Sequence, residues 1–200
     1  MSGTPMFNDL ASPLAYLASR RSGRAREMVG PGPSEAELEA MIALAARTPD
    51  HGKLAPWRFV IVPTERRGDL AQLLRRALDS NHPATTDAHR HKADEFAHAA
   101  EALIVLLSSP VAGHKVPVWE QELSTGAASM NLLHAAHMYG YVGSWLTGWA
   151  AYDPTVRAAF CTGPDERIAG FFFFGSPGRA LEERPRPELS GIVRHWDAPL

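Results

Sequence analysis

The sequence is poor in cysteine and has no long hydrophobic run. Its only cysteine, Cys161, cannot form an intramolecular disulfide. A Cys-x-x-Cys redox pair or a thiolate zinc site would need further thiols. No stretch reaches the roughly 18 consecutive apolar residues that a membrane helix needs. Met1 to Ser12 also lacks the basic patch and apolar run of a secretory signal. We therefore expect a complete, cytoplasmic chain.

An excess of charge of either sign is also missing. The chain has 20 Lys+Arg and 22 Asp+Glu, for a formal net charge of −2. Such a chain has no global field to hold a polyanion or an anionic membrane, so we expect neither nucleic acid nor a membrane as a partner. With 200 residues, of which 45% are hydrophobic and 21% charged, the composition predicts one folded domain over residues 1–200.

Several common catalytic motifs are absent. The sequence has no GxGxxG after a strand, no GxxxxGK[ST], no GxSxG and no HExxH. This disfavours Rossmann dinucleotide binding, P-loop chemistry, serine hydrolysis and zinc proteolysis. The pairs His89/His91 and His134/His137 have a spacing that metal ligands could use, but neither has an obvious carboxylate or thiolate to complete a site. A solvated loop and a helix surface are the simpler interpretations, and we expect no metal.

Helices are predicted from their start signals and from apolar spacing. Ser12 before Pro13 predicts the N-cap of a short helix that runs into Arg20. Ser34 and Glu37 form a capping box ahead of an amphipathic helix that ends before Pro49. The polar, His-rich stretch from His82 to His98 is expected to be a mobile excursion that leads into another helix. Further helices are expected at Asp69–Leu78, Val118–Tyr139 and Pro154–Phe160.

Short apolar runs predict the strands. Their aromatic and β-branched residues are typical of buried strands, and the runs are Trp57–Val62, Leu103–Leu107, Tyr141–Thr147 and Ile168–Phe174. The tail, residues 176–200, is too rich in proline to be helical. Because it contains Ile192, Val193 and Trp196, we expect it to pack on a sheet edge of its own subunit or of a partner.

Two clusters of cationic residues are candidate binding elements. The run Arg20-Arg21-Ser22 is either a solvated helix end or a phosphate site built from guanidinium groups and a hydroxyl, and composition alone favours the first. The turn between the second predicted helix and the first predicted strand carries Arg47, His51 and Lys53. A turn with three such groups is unusual without an anion or a polar ring nearby.

Taken together, these residues resemble the flavin-dependent nitroreductase family, in particular its small single-domain bacterial members. The resembling motifs occur in family order over roughly residues 14–196. They are Arg20-Arg21-Ser22, Pro49-Asp50-His51 leading to Pro56-Trp57-Arg58-Phe59, His114-Lys115-Val116-Pro117 with Trp119-Glu120-Gln121-Glu122, then Gly143, Trp145 and Gly148, and finally Gly170-Phe171 with Gly175-Ser176-Pro177.

The resemblance implies an α+β fold with a central, mostly antiparallel sheet flanked by helices. It further implies a homodimer that exchanges its C-terminal tails and binds one FMN in each of two sites at the subunit interface. By similarity, Arg20, Arg21 and Ser22 would hold the FMN phosphate. The remaining implied cofactor contacts are Arg24 at the pyrimidine edge, Arg47 and His51 from the other subunit, and Trp145, Leu146 and Thr147 along the cofactor.

A second set of residues is implied to bind the nicotinamide nucleotide. It corresponds to a stretch linked with that nucleotide in close relatives: Ala135, Ala136, His137, Met138, Tyr139 and Gly140. The chain departs from the family at Lys53 and Ala55, where many members have Asn and Gln. Lys53 could instead supply positive charge near the flavin N1–O2 edge, which would raise the reduction potential.

The activity implied by the resemblance is an NAD(P)H-dependent, FMN-containing oxidoreductase. Hydride would pass from NAD(P)H through flavin N5 to a nitroaromatic, a quinone or a similar small-molecule acceptor by a ping-pong mechanism. Because the flavin carries the chemistry, no catalytic side chain is expected. Two alternatives remain: a flavin-binding protein without catalysis, and a related enzyme that performs dehydrogenation or dehalogenation.

Overall fold

The computed structural model describes residues 6–196, which form helices packed on both faces of a sheet. The helices of this part of the chain are α1 (Pro13–Ser19), α2 (Glu35–Ala45), α3 (Arg67–Asn81), α4 (Asp87–Ala97), α5 (Val118–Met138) and α6 (Pro154–Phe160). Its strands are β1 (Met28–Val29), β2 (Trp57–Ile61), β3 (Ala102–Ser108), β4 (Val142–Leu146) and β5 (Arg167–Pro177).

The sheet is antiparallel and is organised around β5. One side of β5 pairs with β3, which in turn pairs with β2. The other side pairs with β4 along residues 171–175 and with β1 at residues 176–177. The α+β fold with a mostly antiparallel sheet is thereby confirmed.

Side chains of β5 divide the core into two layers, because successive residues of a strand point to opposite faces. Phe171 and Phe173 pack with α3, α4 and α6. Phe172 and Phe174 pack with α2 and α5. All four rings are fully buried, and each contributes roughly 1.5–3 kcal/mol of burial free energy. Helices α4 and α5 therefore lie on opposite faces of the sheet.

The two predicted N-caps are confirmed, whereas α3 begins at Arg67, two residues before its predicted start. The Ser12 hydroxyl accepts a hydrogen bond of 3.1 Å from the backbone N–H of Ala15 at the start of α1. At α2, the N–H of Ser34 donates to Glu37 Oε2 at 2.8 Å and the N–H of Glu37 donates to Ser34 Oγ at 3.3 Å. These bonds satisfy backbone donors that a helix leaves without intrahelical partners.

The His-rich stretch differs from its prediction. The helix that the excursion was expected to lead into, α4, already occupies residues 87–97, inside the His-rich stretch. Ala93 and Ala97 are buried at a spacing of one helical turn, and Phe96 packs against the same core. Because most residues around these three are polar, the apolar spacing of the helix is not recognisable in the sequence. The two-residue strand β1 was also missed, because so short a segment has no periodicity.

The first two residues of the tail belong to β5, and the tail is largely exposed from there to Trp196. Its apolar side chains Leu189, Ile192, Val193 and Trp196 are all exposed. The prediction that these groups pack on the chain's own sheet edge is therefore wrong for residues 189–196. Their packing on a partner stays a prediction. The last tail residues, 197–200, lie outside the described residues. No helix between residues 6 and 196 is long and apolar enough to cross a membrane.

Candidate cofactor site

A cluster of arginines lies at the C-terminal end of α1. Arg20 Nη1 donates to Ser22 Oγ at 3.2 Å, and Arg186 Nη2 lies 3.5 Å from the Arg20 carbonyl oxygen. Burial lowers the pKa of Arg20; Tyr16 opposes this shift, and the nearby Arg186 and Arg21 add to it. Within residues 6–196, no carboxylate pairs with Arg20, although Glu183 lies 3.4 Å from Arg186. Crowded guanidinium groups beside a hydroxyl are suited to a phosphate.

The neighbouring Arg24 is held by carboxylates instead. It lies 3.1 Å from Glu27 and 2.9 Å from Glu182, a residue of the tail. Exposed ion pairs of this kind are worth little free energy, so Arg24 can leave them for a ligand at small cost. The same tail segment meets Arg21, whose Nε donates to the Glu182 carbonyl oxygen. The tail thus reaches the predicted phosphate residues within one chain.

Arg24 also lines a cavity of about 410 Å³. This cavity lies between the segment from Gly23 to Arg26 and helix α4, and Ser144 and Leu146 of β4 also line it. The α4 residues that face it are Lys92, Glu95 and Phe96. Its volume is within the range of small-molecule and cofactor sites. We call it the cofactor cavity.

The alternation of β4 decides which predicted residues reach the cofactor cavity. Leu146 lines it, and Thr147 lines an adjoining cavity of about 210 Å³. Trp145 points to the opposite face of the sheet. There its Nε1 donates to the Ala169 carbonyl oxygen at 2.9 Å and its ring stacks on Phe172 with centroids 5.2 Å apart. The structure does not bring Trp145 to the cavity, and its cofactor contact stays a prediction.

The turn with Arg47, His51 and Lys53 is exposed and lies at the other end of α5. His51 Nδ1 is 2.7 Å from Glu120 Oε2, in the first turn of that helix. The arginine cluster adjoins Tyr16, which bonds to His137 in the last turn. At 1.5 Å per residue these two ends of α5 are roughly 25 Å apart. Within one chain the turn therefore cannot share a site with Arg20.

The segment Ala135–Gly140 forms the end of α5. Its first three residues are buried, whereas Met138 and Tyr139 are exposed together with Gly140. The buried side chains cannot contact a nucleotide, so the nicotinamide assignment has no geometric support from them and stays a prediction.

His137 instead belongs to a polar cluster on the core side of α1. Tyr16 Oη lies 2.7 Å from Nδ1 of both His134 and His137. Burial raises the pKa of Tyr16 to about 12 and lowers the pKa of His137 to about 4. Burial also lowers the pKa of His134, so all three groups are neutral at pH 7. Since the hydroxyl has one proton, it donates to one ring and accepts from the Nδ1–H of the other.

The sequence interpretation missed two residues: Lys92 of the cofactor cavity and Arg186 of the arginine cluster. Lys92 lies in the His-rich stretch, where its positive charge alone did not distinguish it from its neighbours. Arg186 lies in the proline-rich tail, whose arginines were a signal that could have been joined to Arg20-Arg21-Ser22. Residues 6–196 contain no group of three or more His, Cys, Asp or Glu side chains arranged to hold a metal.

Comparison with known proteins decides the family. The model of the nitroreductase family matches residues 17–176. The chain belongs to the nitroreductase family. Among curated members, it is 32% identical over 164 residues to YdjA, a candidate NAD(P)H nitroreductase of Escherichia coli strain K12, covering 82% of this chain and 87% of YdjA. A Haemophilus influenzae protein with the same description is 31% identical over 175 residues, covering 86% of this chain and 92% of that protein.

Solved structures show that this nitroreductase-family chain has the expected fold. The nitroreductase-like family protein from Bacillus cereus superposes with a TM-score of 0.76 at 19% identity, covering 91% of this chain and 94% of that one. A nitroreductase with bound FMN from Bacteroides fragilis superposes with a TM-score of 0.66 at 19% identity, covering 90% of this chain and 96% of that one. The family resemblance inferred from the motifs is thereby confirmed.

Proposed function

We propose that this chain is an FMN-containing oxidoreductase that takes electrons from NAD(P)H and passes them to a small organic acceptor. The observation that carries the proposal is the crowded arginine cluster around Arg20, which pairs with no carboxylate of residues 6–196, together with the cavity of about 410 Å³ that the neighbouring Arg24 lines. The relatives described as NAD(P)H nitroreductases and the B. fragilis structure with FMN support it.

The residues present fit FMN. Arg20, Arg21 and Ser22 would hold the phosphate, with Arg186 as a further cation. Leu146 and Phe96 would provide apolar walls for the ring system. When bound, FMN supplies a ring that accepts a hydride and gives up two electrons. No side-chain nucleophile is needed for this chemistry.

The protein's own contribution is orientation, exclusion of water and charge. The apolar walls of the cofactor cavity exclude water from one side of a bound ring, and the arginine cluster fixes one end of the ligand. Lys92 places an ammonium group in the cavity. A cation there stabilises negative charge that develops on a ligand during reduction. This is the role that the sequence suggested for Lys53, which is exposed at the far end of α5.

We also propose that the site is completed by a second copy of the chain. A stripe along α5, with residues three or four apart, is exposed at its two ends and half-buried in between. The stripe consists of Trp119, Leu123, Ala127, Met130, His134 and Met138. Leu123 is 54% exposed and Met138 49%. Leu14 and Leu17 of α1 are exposed as well. An apolar surface of this extent marks an interaction site.

The predicted site has two parts, the Arg20 cluster and the turn with Arg47 and His51, which lie at opposite ends of α5. A two-fold axis across the middle of α5 would bring one part of each chain next to the other part of its partner. In an isologous contact two copies of α5 run antiparallel, so the Glu120 end of one meets the His137 end of the other. His51 and Arg47 of each chain would then lie near the Arg20 cluster of its partner. The exposed tail residues Leu189 to Trp196 would be covered by the same partner.

Purified protein tests the cofactor and the reaction together. The expected protein is yellow, releases FMN rather than FAD on denaturation, and oxidises NADPH or NADH faster when a nitroarene is added. A colourless protein that binds no added FMN would refute flavin binding. A yellow protein without NAD(P)H oxidation would instead support the alternative of a flavin-binding protein that does not catalyse.

Sedimentation tests the shared site. Leu123→Glu places a charge on the α5 stripe and should convert a dimer to monomers that lose FMN. The control is Tyr152→Glu, because Tyr152 is an exposed aromatic residue outside the stripe. A wild-type monomer that retains FMN and full activity would refute the dimer.

A further inference from the structure

A second cavity lies along α4, beyond the cofactor cavity. Its volume is about 360 Å³, and it is lined by Leu78, His82, Ala84, Thr85, His89, Lys92 and Trp149. We call it the outer cavity. Lys92 lines both it and the cofactor cavity, as well as the 210 Å³ cavity between them. The three cavities therefore follow one face of α4. Helices α4 and α5 pack on opposite faces of the sheet, and no residue of the α5 stripe lines the outer cavity.

The residues that line the outer cavity include one ammonium group, that of Lys92, two imidazoles and no carboxylate. The carboxylates of α4 do not line the outer cavity: Asp87 lies 2.8 Å from Arg90, Asp94 pairs with Arg75 of α3, and Glu95, which lines the cofactor cavity, lies 3.3 Å from His91. Lys92 has no ion pair or hydrogen bond with any residue between 6 and 196. Its ammonium is therefore available to a ligand.

The two histidines are oriented by their neighbours. The backbone N–H of Thr86 donates to His89 Nδ1 at 3.1 Å, so in the neutral ring the proton is on Nε2, which can donate to an anion. His82 Nε2 lies 3.2 Å from the buried carboxylate of Asp153 and donates to it. This bond holds the His82 ring edge-on to Trp149, with centroids 5.2 Å apart.

We propose that the outer cavity binds an anionic group, a carboxylate or a phosphate, of a substrate whose reacting part meets the FMN proposed for the cofactor cavity. The anion would bind Lys92 and His89, and the Trp149 indole would contact the adjoining part of the molecule. This inference rests on the proposed function. Two sources have the same chemistry: an acceptor that carries an acid group, and the 2′-phosphate that distinguishes NADPH from NADH.

The test places a carboxylate in the cavity at an exposed loop position. Ala84→Glu adds negative charge beside the anion site, and Ala84→Gln is the control of equal size without charge. Binding to the FMN-loaded protein is measured by calorimetry with two pairs of ligands: 4-nitrobenzoate and its methyl ester, and NADP⁺ and NAD⁺. The measurement needs no turnover, so its result does not depend on whether the chain is an efficient reductase.

In one of the two ligand pairs, the dissociation constant of the more anionic ligand (4-nitrobenzoate or NADP⁺) should be on the order of tenfold higher for Ala84→Glu than for Ala84→Gln. The dissociation constant of the less anionic ligand of that pair should differ by less than about twofold. Lys92→Gln should weaken binding of the more anionic ligand, and added salt should reduce the difference. An effect on 4-nitrobenzoate assigns the cavity to the acceptor, and an effect on NADP⁺ assigns it to the coenzyme. Equal binding by the Glu and Gln variants in both pairs would refute the proposal, whereas a protein that takes up no FMN would refute the proposed function.

Discussion

Removal of the Arg20 guanidinium should weaken FMN binding and leave the fold intact. Arg20 follows the last residue of α1 and makes one hydrogen bond to another side chain, to Ser22 Oγ. Its neighbours Arg21 and Arg186 are cations that lower its pKa, after the larger effect of burial. In the absence of a ligand, Arg20→Ala therefore relieves repulsion and removes little packing. The folded state should not be destabilised by more than about 1 kcal/mol.

The effect on binding follows from the loss of a charged hydrogen bond. Hydrogen bonds to charged groups contribute roughly 1.5–3 kcal/mol, which corresponds to a rise of about 10- to 150-fold in the FMN dissociation constant. The loss is limited because Arg21 and Arg186 remain near the site. Arg20→Lys, which keeps the charge without the two-pronged geometry, should give an intermediate affinity.

Titration of the flavin-free protein with FMN, followed by quenching of flavin fluorescence, measures this change. Riboflavin is the decisive second ligand, since it lacks the phosphate and its affinity should be the same for the parent and Arg20→Ala. Arg76→Ala, an exposed position on α3, removes the same charge elsewhere. Equal FMN affinity of parent and Arg20→Ala, or an equal loss for riboflavin, would show that Arg20 does not bind the phosphate.

Three further predictions concern the tail, the histidine cluster and the sheet. Arg186→Ala should weaken FMN binding but not riboflavin binding, in the same titration, because Arg186 adjoins Arg20. The pKa of His137 in the folded protein is about 4, below its ordinary 6.5. The contribution of His137 to the free energy of unfolding is therefore fully present above pH 6.5, and about 3 kcal/mol of that free energy is lost as the pH falls to 4. Urea unfolding should show a flatter pH dependence for His137→Asn. Gly170→Ala should destabilise by about 1–3 kcal/mol, because a Cβ there would overlap the Trp145 indole.

Each of these has a control within the chain. Gly68→Ala should not destabilise, since nothing lies within 4 Å of the added carbon, and equal melting temperatures for the two alanine variants would contradict the packing argument. A His137→Asn protein with the parent's pH dependence would contradict the assignment of that loss to His137. Unchanged FMN affinity in Arg186→Ala would leave the tail outside the phosphate site.

Local structure was determined by the sequence itself. Ser12, and Ser34 with Glu37, satisfy helix N-terminal donors within a few residues, so the starts of α1 and α2 need no tertiary information. The apolar runs of β3 and β5 are buried on both faces and could be recognised without knowing their partners. Order and spacing of motifs also predicted the family, because several weak matches in a fixed order are unlikely to occur together by chance.

Which face a side chain occupies was decided only by the tertiary structure. Trp145 and Leu146 are adjacent in sequence, yet only Leu146 lines the cofactor cavity, because the pairing of β4 with β5 sets which face of the sheet each residue occupies. Lys92 reaches that cavity because Ala93 and Ala97 anchor α4 in the core. Arg186 meets Arg20 across 166 residues of chain. Contacts at that separation depend on how all the intervening elements pack, which no local pattern encodes.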